Sequence, residues 1–230
     1  AVPEVPMPGG WTLSMAWVPM LCGQTWAGAA AHFIGMWAVM MAAMMLPSLV
    51  PVLWRFGAAL QELGVPRRAG LVALAGAAYL SVWTAIGLLV FAAGAAFAQA
   101  LMQVPTMAQA VPVAGAMVVL LAGAFQFTAS KAHHLACCRP GVWHEARVPS
   151  TAAMAWRYGV RLGLRCSRAC AGLTAILLVI GVMDLWAMAF VAAAITAERL
   201  APPGARVAWV VGAVSVVTGV VLMVRPAWLL

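Results

Sequence analysis

The sequence predicts an all-α, polytopic transmembrane helix bundle of about five spans with an N-terminal interfacial or re-entrant segment, and three observations carry that prediction. Of 230 residues, 66% are apolar and 8% charged, and the mean hydropathy is +1.02. No charged residue occurs between Glu4 and Arg55 or between Arg68 and Lys131, which in water would leave too little polar surface to cover a core. The 13 Lys and Arg against 5 Asp and Glu fall mainly between apolar runs, a pattern of membrane orientation rather than of nucleic-acid binding.

The chain begins AVPEVPMPGGW, with neither an initiator Met nor the basic-then-apolar pattern of a signal peptide, so an upstream segment is expected. Trp11 to Trp26 is apolar but short and carries Pro19 and Gly23; within the outer-face segment 1–26 it suits an interfacial or re-entrant element. The bundle proper, 27–230, opens with a span over 27–46 that Pro47 and Pro51 are expected to stop. The uncharged stretch 69–130 is too long for one crossing, and Gln103, Pro105 and Pro112 divide it into spans 70–102 and 111–136. A helical pattern over 151–182 carries Arg157, Arg161, Arg165 and Arg168 on its first half, a stripe suited to anionic headgroups. It forms a hairpin with 184–200, where Asp184 suits an N-cap. The last span is 207–224, after the Pro202-Pro203-Gly204 turn.

Twelve basic residues (Arg55, Arg67, Arg68, Lys131, Arg139, Arg147, Arg157, Arg161, Arg165, Arg168, Arg199 and Arg206) fall on one side and Arg225 alone on the other. The positive-inside rule makes the first side cytoplasmic, which gives a multi-pass membrane protein with its N-terminus outside. No phosphate-binding glycine loop and no transporter-type internal repeat is present.

Two i,i+4 couples draw the eye to metal chemistry. His134 with Cys138, and Cys166 with Cys170, each stack on one helix face with Cβ atoms ~5–6 Å apart, too far for an unstrained disulfide but suited to converging on one ion. Facing each other, they supply one imidazole and three thiolates for Zn(II) or Cu(I). His133 and Cys137 are further candidates one position away. Equally, Cys is a small buried hydrophobe and an interfacial His meets headgroups. Five Met fall between Met36 and Met45: Met36, Met40 and Met44 on one stripe, Met41 and Met45 on its neighbour. Thioethers are neutral soft ligands for Cu(I); Met also fills irregular gaps between helices, and by pattern alone that account stands first. Met44 and Met45 end at the depth of the Cys/His couples. Gln126 and Lys131 are expected behind the ligands, or Gln126 simply bonds a neighbouring helix. Tyr79 and Trp83 form an i,i+4 pair inside a span. His32 lies near the outer end of the first span, away from the proposed site, and Cys22 is expected outside.

Three blocks resemble a known family. Met36–Ser48, MWAVMMAAMMLPS, is similar to M-W-x-x-M-M-x-A-M-M-x-P-S; Ala122–Pro140, AGAFQFTASKAHHLACCRP, to G-x-x-Q-x-T-x-x-K-x-x-C-L-x-x-C-R-x-P; and Leu162–Ala189 to G-x-x-C-x-x-C-C-x-x-L-M-x-x-x-x-x-G-x-M. These are the marks of the bacterial membrane proteins grouped as domain of unknown function 2182, predicted to bind metal, and the resemblance runs from about Trp11 to Leu200. His134 stands where that pattern has a Cys, an acceptable replacement ligand. Ala169 stands where it has the first Cys of a pair, and Ala is not a ligand. The set the resemblance implies is therefore His134, Cys138, Cys166 and Cys170, with Met44 and Met45 nearby, in a protein of the bacterial inner membrane; Met40 and Met41 are further candidates beside His133 and Cys137.

The first functional expectation is a membrane protein that handles Cu(I) or zinc in delivery, storage or translocation, with a membrane partner or metallochaperone and no nucleic acid. The alternative is a non-catalytic accessory subunit or assembly factor of a larger membrane complex, in which Gly70, Gly76, Gly87 and Gly94 favour close helix contacts. Enzyme activity is the weakest reading, since no paired immersed carboxylates, nucleophile-and-base couple or open three-ligand metal site is present.

Overall fold

A computed structural model of the chain describes residues 4–6, 12–14, 25–138, 148–181, 184–201 and 204–224, with side chains from 25 onward except those of 105–106, 136–138 and 204–205. Two three-residue strands, β1 (Glu4–Pro6) and β2 (Thr12–Ser14), pair antiparallel with Val5 opposite Leu13. The remainder is helical: α1 (Trp26–Glu62), α2 (Arg68–Gln103), α3 (Pro105–Phe125), α4 (Ala129–Cys138), α5 (Ala152–Ile180), α6 (Leu185–Leu200) and α7 (Gly204–Val224). Five of them, α1, α2, α3, α5 and α7, are long and apolar enough to cross a membrane. The segment expected to lie at the interface falls largely outside the described residues.

Helix starts follow capping chemistry. Thr25 accepts from Gly28 N–H, Thr151 from Met154 N–H, and Asp184 from Trp186 and Ala187 N–H at 2.8 and 3.1 Å, each satisfying N–H groups that a helix leaves open. The N-cap expected at Asp184 is present.

Two boundaries differ from expectation. Pro47 and Pro51 do not stop α1, which continues to Glu62. A proline inside a helix costs ~3 kcal/mol, but the turns on both sides bury Met45, Leu49, Val52, Phe56 and Leu60. Neighbouring helices packed on those turns hold the chain helical across both missing bonds, as membrane-spanning helices tolerate Pro where adjoining groups and local adjustment satisfy the freed backbone. The expected span 111–136 is instead two helices. Pro112 lies inside α3, which begins at Pro105, where a missing N–H is harmless. The helix then breaks at Gln126–Thr128, where successive i→i+3 backbone bonds tighten the chain. Thr128 Oγ1 donates to Phe125 O and accepts from Lys131 N–H, ending one helix and capping the next.

The helices pack in two close pairs, α2 on α5 and α3 on α7. Glycines permit both approaches. A Cβ on Gly159 would run into the Ala75 carbonyl and one on Gly163 into Val82, so the Gly-x-x-x-Gly spacing on α5 lets the two backbones meet. Of the four α2 glycines expected to make contacts, Gly87 receives the Trp37 ring, whereas Gly70 has open space around it. Helix α1 closes over α2 and α6, and the main core gathers Phe33, Trp37, Met41, Met45, Tyr79, Trp83, Cys166, Cys170 and Leu177. At 37 and 36 residues, α1 and α2 extend ~55 Å, beyond ~30 Å of hydrocarbon. Their basic end holds a smaller core of Phe56, Leu60, Ala75 and Ala155.

Candidate functional site

Met45 and Ser48 sit on the buried face of α1 one turn apart, Tyr79 on α2, Cys166 and Cys170 one turn apart on α5, and Glu198 and Arg199 at the end of α6. Cys166 Sγ is the hub. It lies 3.9 Å from Cys170 Sγ and 4.0 Å from Met45 Sδ. Tyr79 O–H donates to it at 3.0 Å and Arg199 Nη1 at 3.3 Å. All three sulfur residues are buried, at 0–2% exposure. Arg199 Nη1 also donates to Ser48 Oγ at 2.7 Å, and Ser48 in turn donates to Met45 O. The guanidinium is thus held over the sulfurs by the turn that carries the thioether.

A second polar layer adjoins this one. Lys131 Nζ pairs with Glu198 Oε2 at 2.8 Å and also donates to Ala169 O, next to Cys170, while Gln126 Nε2 donates to Glu198 Oε1 at 3.2 Å. Both charges of the pair are about 2% exposed. Burying ions costs several kcal/mol each unless geometry and further hydrogen bonds repay it. The break at 126–128 allows α3 and α4 to send Gln126 and Lys131 to one carboxylate. Gln126 therefore bonds a neighbouring helix, the plainer of its two expected roles.

The donor set suits a soft ion. Three sulfurs placed ~2.3 Å from a common in-plane centre stand about 4.0 Å apart, and two edges here measure 3.9 and 4.0 Å. A metal-bound thiol is a thiolate, and Tyr79 O–H and Arg199 N–H are placed to share its charge. With both cysteines as thiolates, the formal charges of Arg199, Lys131 and Glu198 leave one excess negative charge. A monovalent cation brings the layer to neutrality.

The expected ligands are placed unequally. Cys166, Cys170 and Met45 come together. Met41 and Met44 are buried in the same core, and Met40 and Met44 border a groove against α6. His133 and His134 stack edge-on to one another with ring centroids 5.7 Å apart. Among the described residues no three His, Cys, Asp or Glu side chains gather as a metal cage, so His134 does not complete one with Cys166 and Cys170. The Cys137 and Cys138 side chains, like Cys22, lie outside the described residues. Lys131 and Arg199, counted on the cytoplasmic side by sequence, are buried at 1% and 3% exposure.

Sequence reasoning missed Ser48, Glu198 and Arg199 as site residues and left Tyr79 without a role. A signal was available: Glu198 is one of five acidic residues, and it stands beside Arg199 directly after an apolar run. Adjacent charges at a helix end ordinarily read as solvated, and only the fold turns both inward.

No curated protein and no solved structure matches the chain. A family model described as PpoB2, copper chaperone, matches residues 34–222, and it replaces the domain-of-unknown-function assignment suggested by the three sequence blocks. The match encloses Met45, Ser48, Tyr79, Cys166, Cys170, Glu198 and Arg199, and its description names copper where the residues alone left zinc open. The chain belongs to the PpoB2 copper chaperone family.

Proposed function

We propose that this chain binds Cu(I) between α1 and α5, through Cys166 and Cys170 thiolates and the Met45 thioether, and hands it to a copper-requiring acceptor protein. The observation that carries the reading is the sulfur cluster itself, with edges of 3.9 and 4.0 Å to Cys166 Sγ, buried and faced by Arg199. Thiolate and thioether together are soft donors that select Cu(I), and the charge balance of the layer favours a monovalent ion. The five long apolar helices and the one-sided basic residues support a seat in the bacterial inner membrane, with the start of α1 outside.

The test is an anaerobic Cu(I) titration of the purified chain in mild detergent against a chromogenic Cu(I) chelator. Wild type is expected to take up one tightly held Cu(I) per chain, and C166S/C170S to lose affinity by more than ~100-fold. A double variant that still competes like wild type would remove the buried centre.

A further inference from the structure

An open groove of about 860 Å³ runs between the first half of α1 and the start of α6. Five of its twelve lining residues are soft donors: His32, Met36, Met40 and Met44 from α1, and Met188 from α6. The four on α1 fall at i, i+4, i+8 and i+12, a single stripe with a donor every ~6 Å over a total of ~18 Å. No charged side chain lines the groove. Burial deepens along it: His32 is exposed, Met36 half-buried, and Met40 and Met44 are 8% and 5% exposed. The foot of the ladder, Met44, immediately precedes Met45, whose sulfur touches Cys166 Sγ. Gap-filling explains the buried Met40 and Met44, but it does not explain why half-buried Met36 and Met188 and exposed His32 continue the same donor row along an open groove.

We infer that the His32–Met36–Met40–Met44 stripe, with Met188 opposite, is a loading path that conducts Cu(I) between the exposed end of α1 and the buried Met45–Cys166–Cys170 centre. The inference rests on the proposed copper-binding function and adds a route to it. Thioether and imidazole ligands are neutral, so a monovalent ion held by them adds only its own charge to an apolar groove, and soft sulfur supplies its coordination in place of water. Each step is a ligand exchange: one Cu–S bond forms as another breaks, and copper stays monovalent throughout. At the foot, Cys166 and Cys170 bind as thiolates and release their protons. Neutral thioethers hold the ion less tightly than thiolates, so the end state lies at the buried centre.

The experiment measures how fast the full chain in lipid nanodiscs draws Cu(I) from a chromogenic chelate. Three proteins are compared: wild type, M36L/M40L/M188L and C166S/C170S. Leu matches Met closely in volume, so the groove variant keeps its packing; the single variant Met36→Leu, at a half-buried position, guards against a triple variant that fails to fold. The expected result is loading slowed at least tenfold in the triple variant and about threefold in Met36→Leu, with copper per chain at the end point unchanged. Wild-type loading rates in both variants, with copper lost from C166S/C170S, overturn the path and leave the buried centre standing; the groove then holds lipid chains only. Full copper retention by C166S/C170S, or no stoichiometric copper on wild type, overturns the centre and the path with it.

Discussion

The α3–α7 pair and the α1–α5–α6 junction sit in one bundle and are held by opposite means. Among the described residues α3 and α7 meet where glycines leave room: a Cβ on Gly219 would fall 2.8 Å from Leu120 N, and one on Gly123 would meet Val216 N and Ser215 Cβ. The two hydroxyls of α7 turn back on their own helix, Ser215 to Val211 O and Thr218 to Val214 O. The other junction buries Arg199, Lys131, Glu198, Gln126 and Tyr79 around two thiols and a thioether. Small residues and van der Waals packing suffice to join two apolar helices. The second arrangement carries desolvation costs that packing would not require, and it is there that the proposed copper site is drawn.

Substitutions can break this contrast, and they rank by size. Glu198→Ala leaves the Lys131 ammonium buried without its carboxylate and is expected to cost about 3–5 kcal/mol of stability, read by denaturant unfolding in detergent. Ser215→Ala on α7 is expected to stay within ~0.5 kcal/mol in the same assay. Equal losses would erase the distinction between the two regions.

Next in size is Arg199→Met, which removes a charged donor from Cys166 Sγ and Ser48 Oγ. A charge-assisted hydrogen bond contributes ~1.5–3 kcal/mol, so Cu(I) affinity is expected to fall roughly 10- to 100-fold in chelator competition. Gly219→Val forces α7 away from Leu120 and is expected to destabilise the chain by ~1–3 kcal/mol while its Cu(I) affinity stays at the wild-type value. A copper defect in Gly219→Val would show that the α3–α7 packing sets the site after all. The smallest change is Tyr79→Phe, which deletes one neutral donor at 3.0 Å; a rise in the Cu(I) Kd of up to about tenfold is expected, from ~0.5–1.5 kcal/mol.

How much of this was legible in the sequence follows the same division. The apolar runs, the Thr151 start, the Asp184 cap and the Met run were readable because they rest on local chemistry and helical period. Prolines 47 and 51 misled because a local cost was set against burial by other helices, which a single segment does not display. Cys166 with Cys170 was visible as an i,i+4 couple, yet its third sulfur comes from Met45, 121 residues away. The partner drawn from local pattern, His134, does not join them in a cage of His, Cys and carboxylate groups among the described residues. Arg199 and Glu198 were hidden for a related reason: their partners lie far along the chain, Ser48 and Cys166 for Arg199 and Gln126 and Lys131 for Glu198, and nothing near residue 198 announces them. His32 read as a residue away from the site, and only the fold brings Met188 of α6 to the same groove.

The central claim is that copper sits on sulfur alone, bound by Cys166, Cys170 and Met45. Copper K-edge X-ray absorption on the Cu(I)-loaded chain tests it directly. The expected spectrum is that of three-coordinate Cu(I) with a first shell of three sulfurs and no imidazole scattering, falling to two sulfurs in Met45→Leu. A shell dominated by nitrogen, or one unaltered by Met45→Leu, would contradict it.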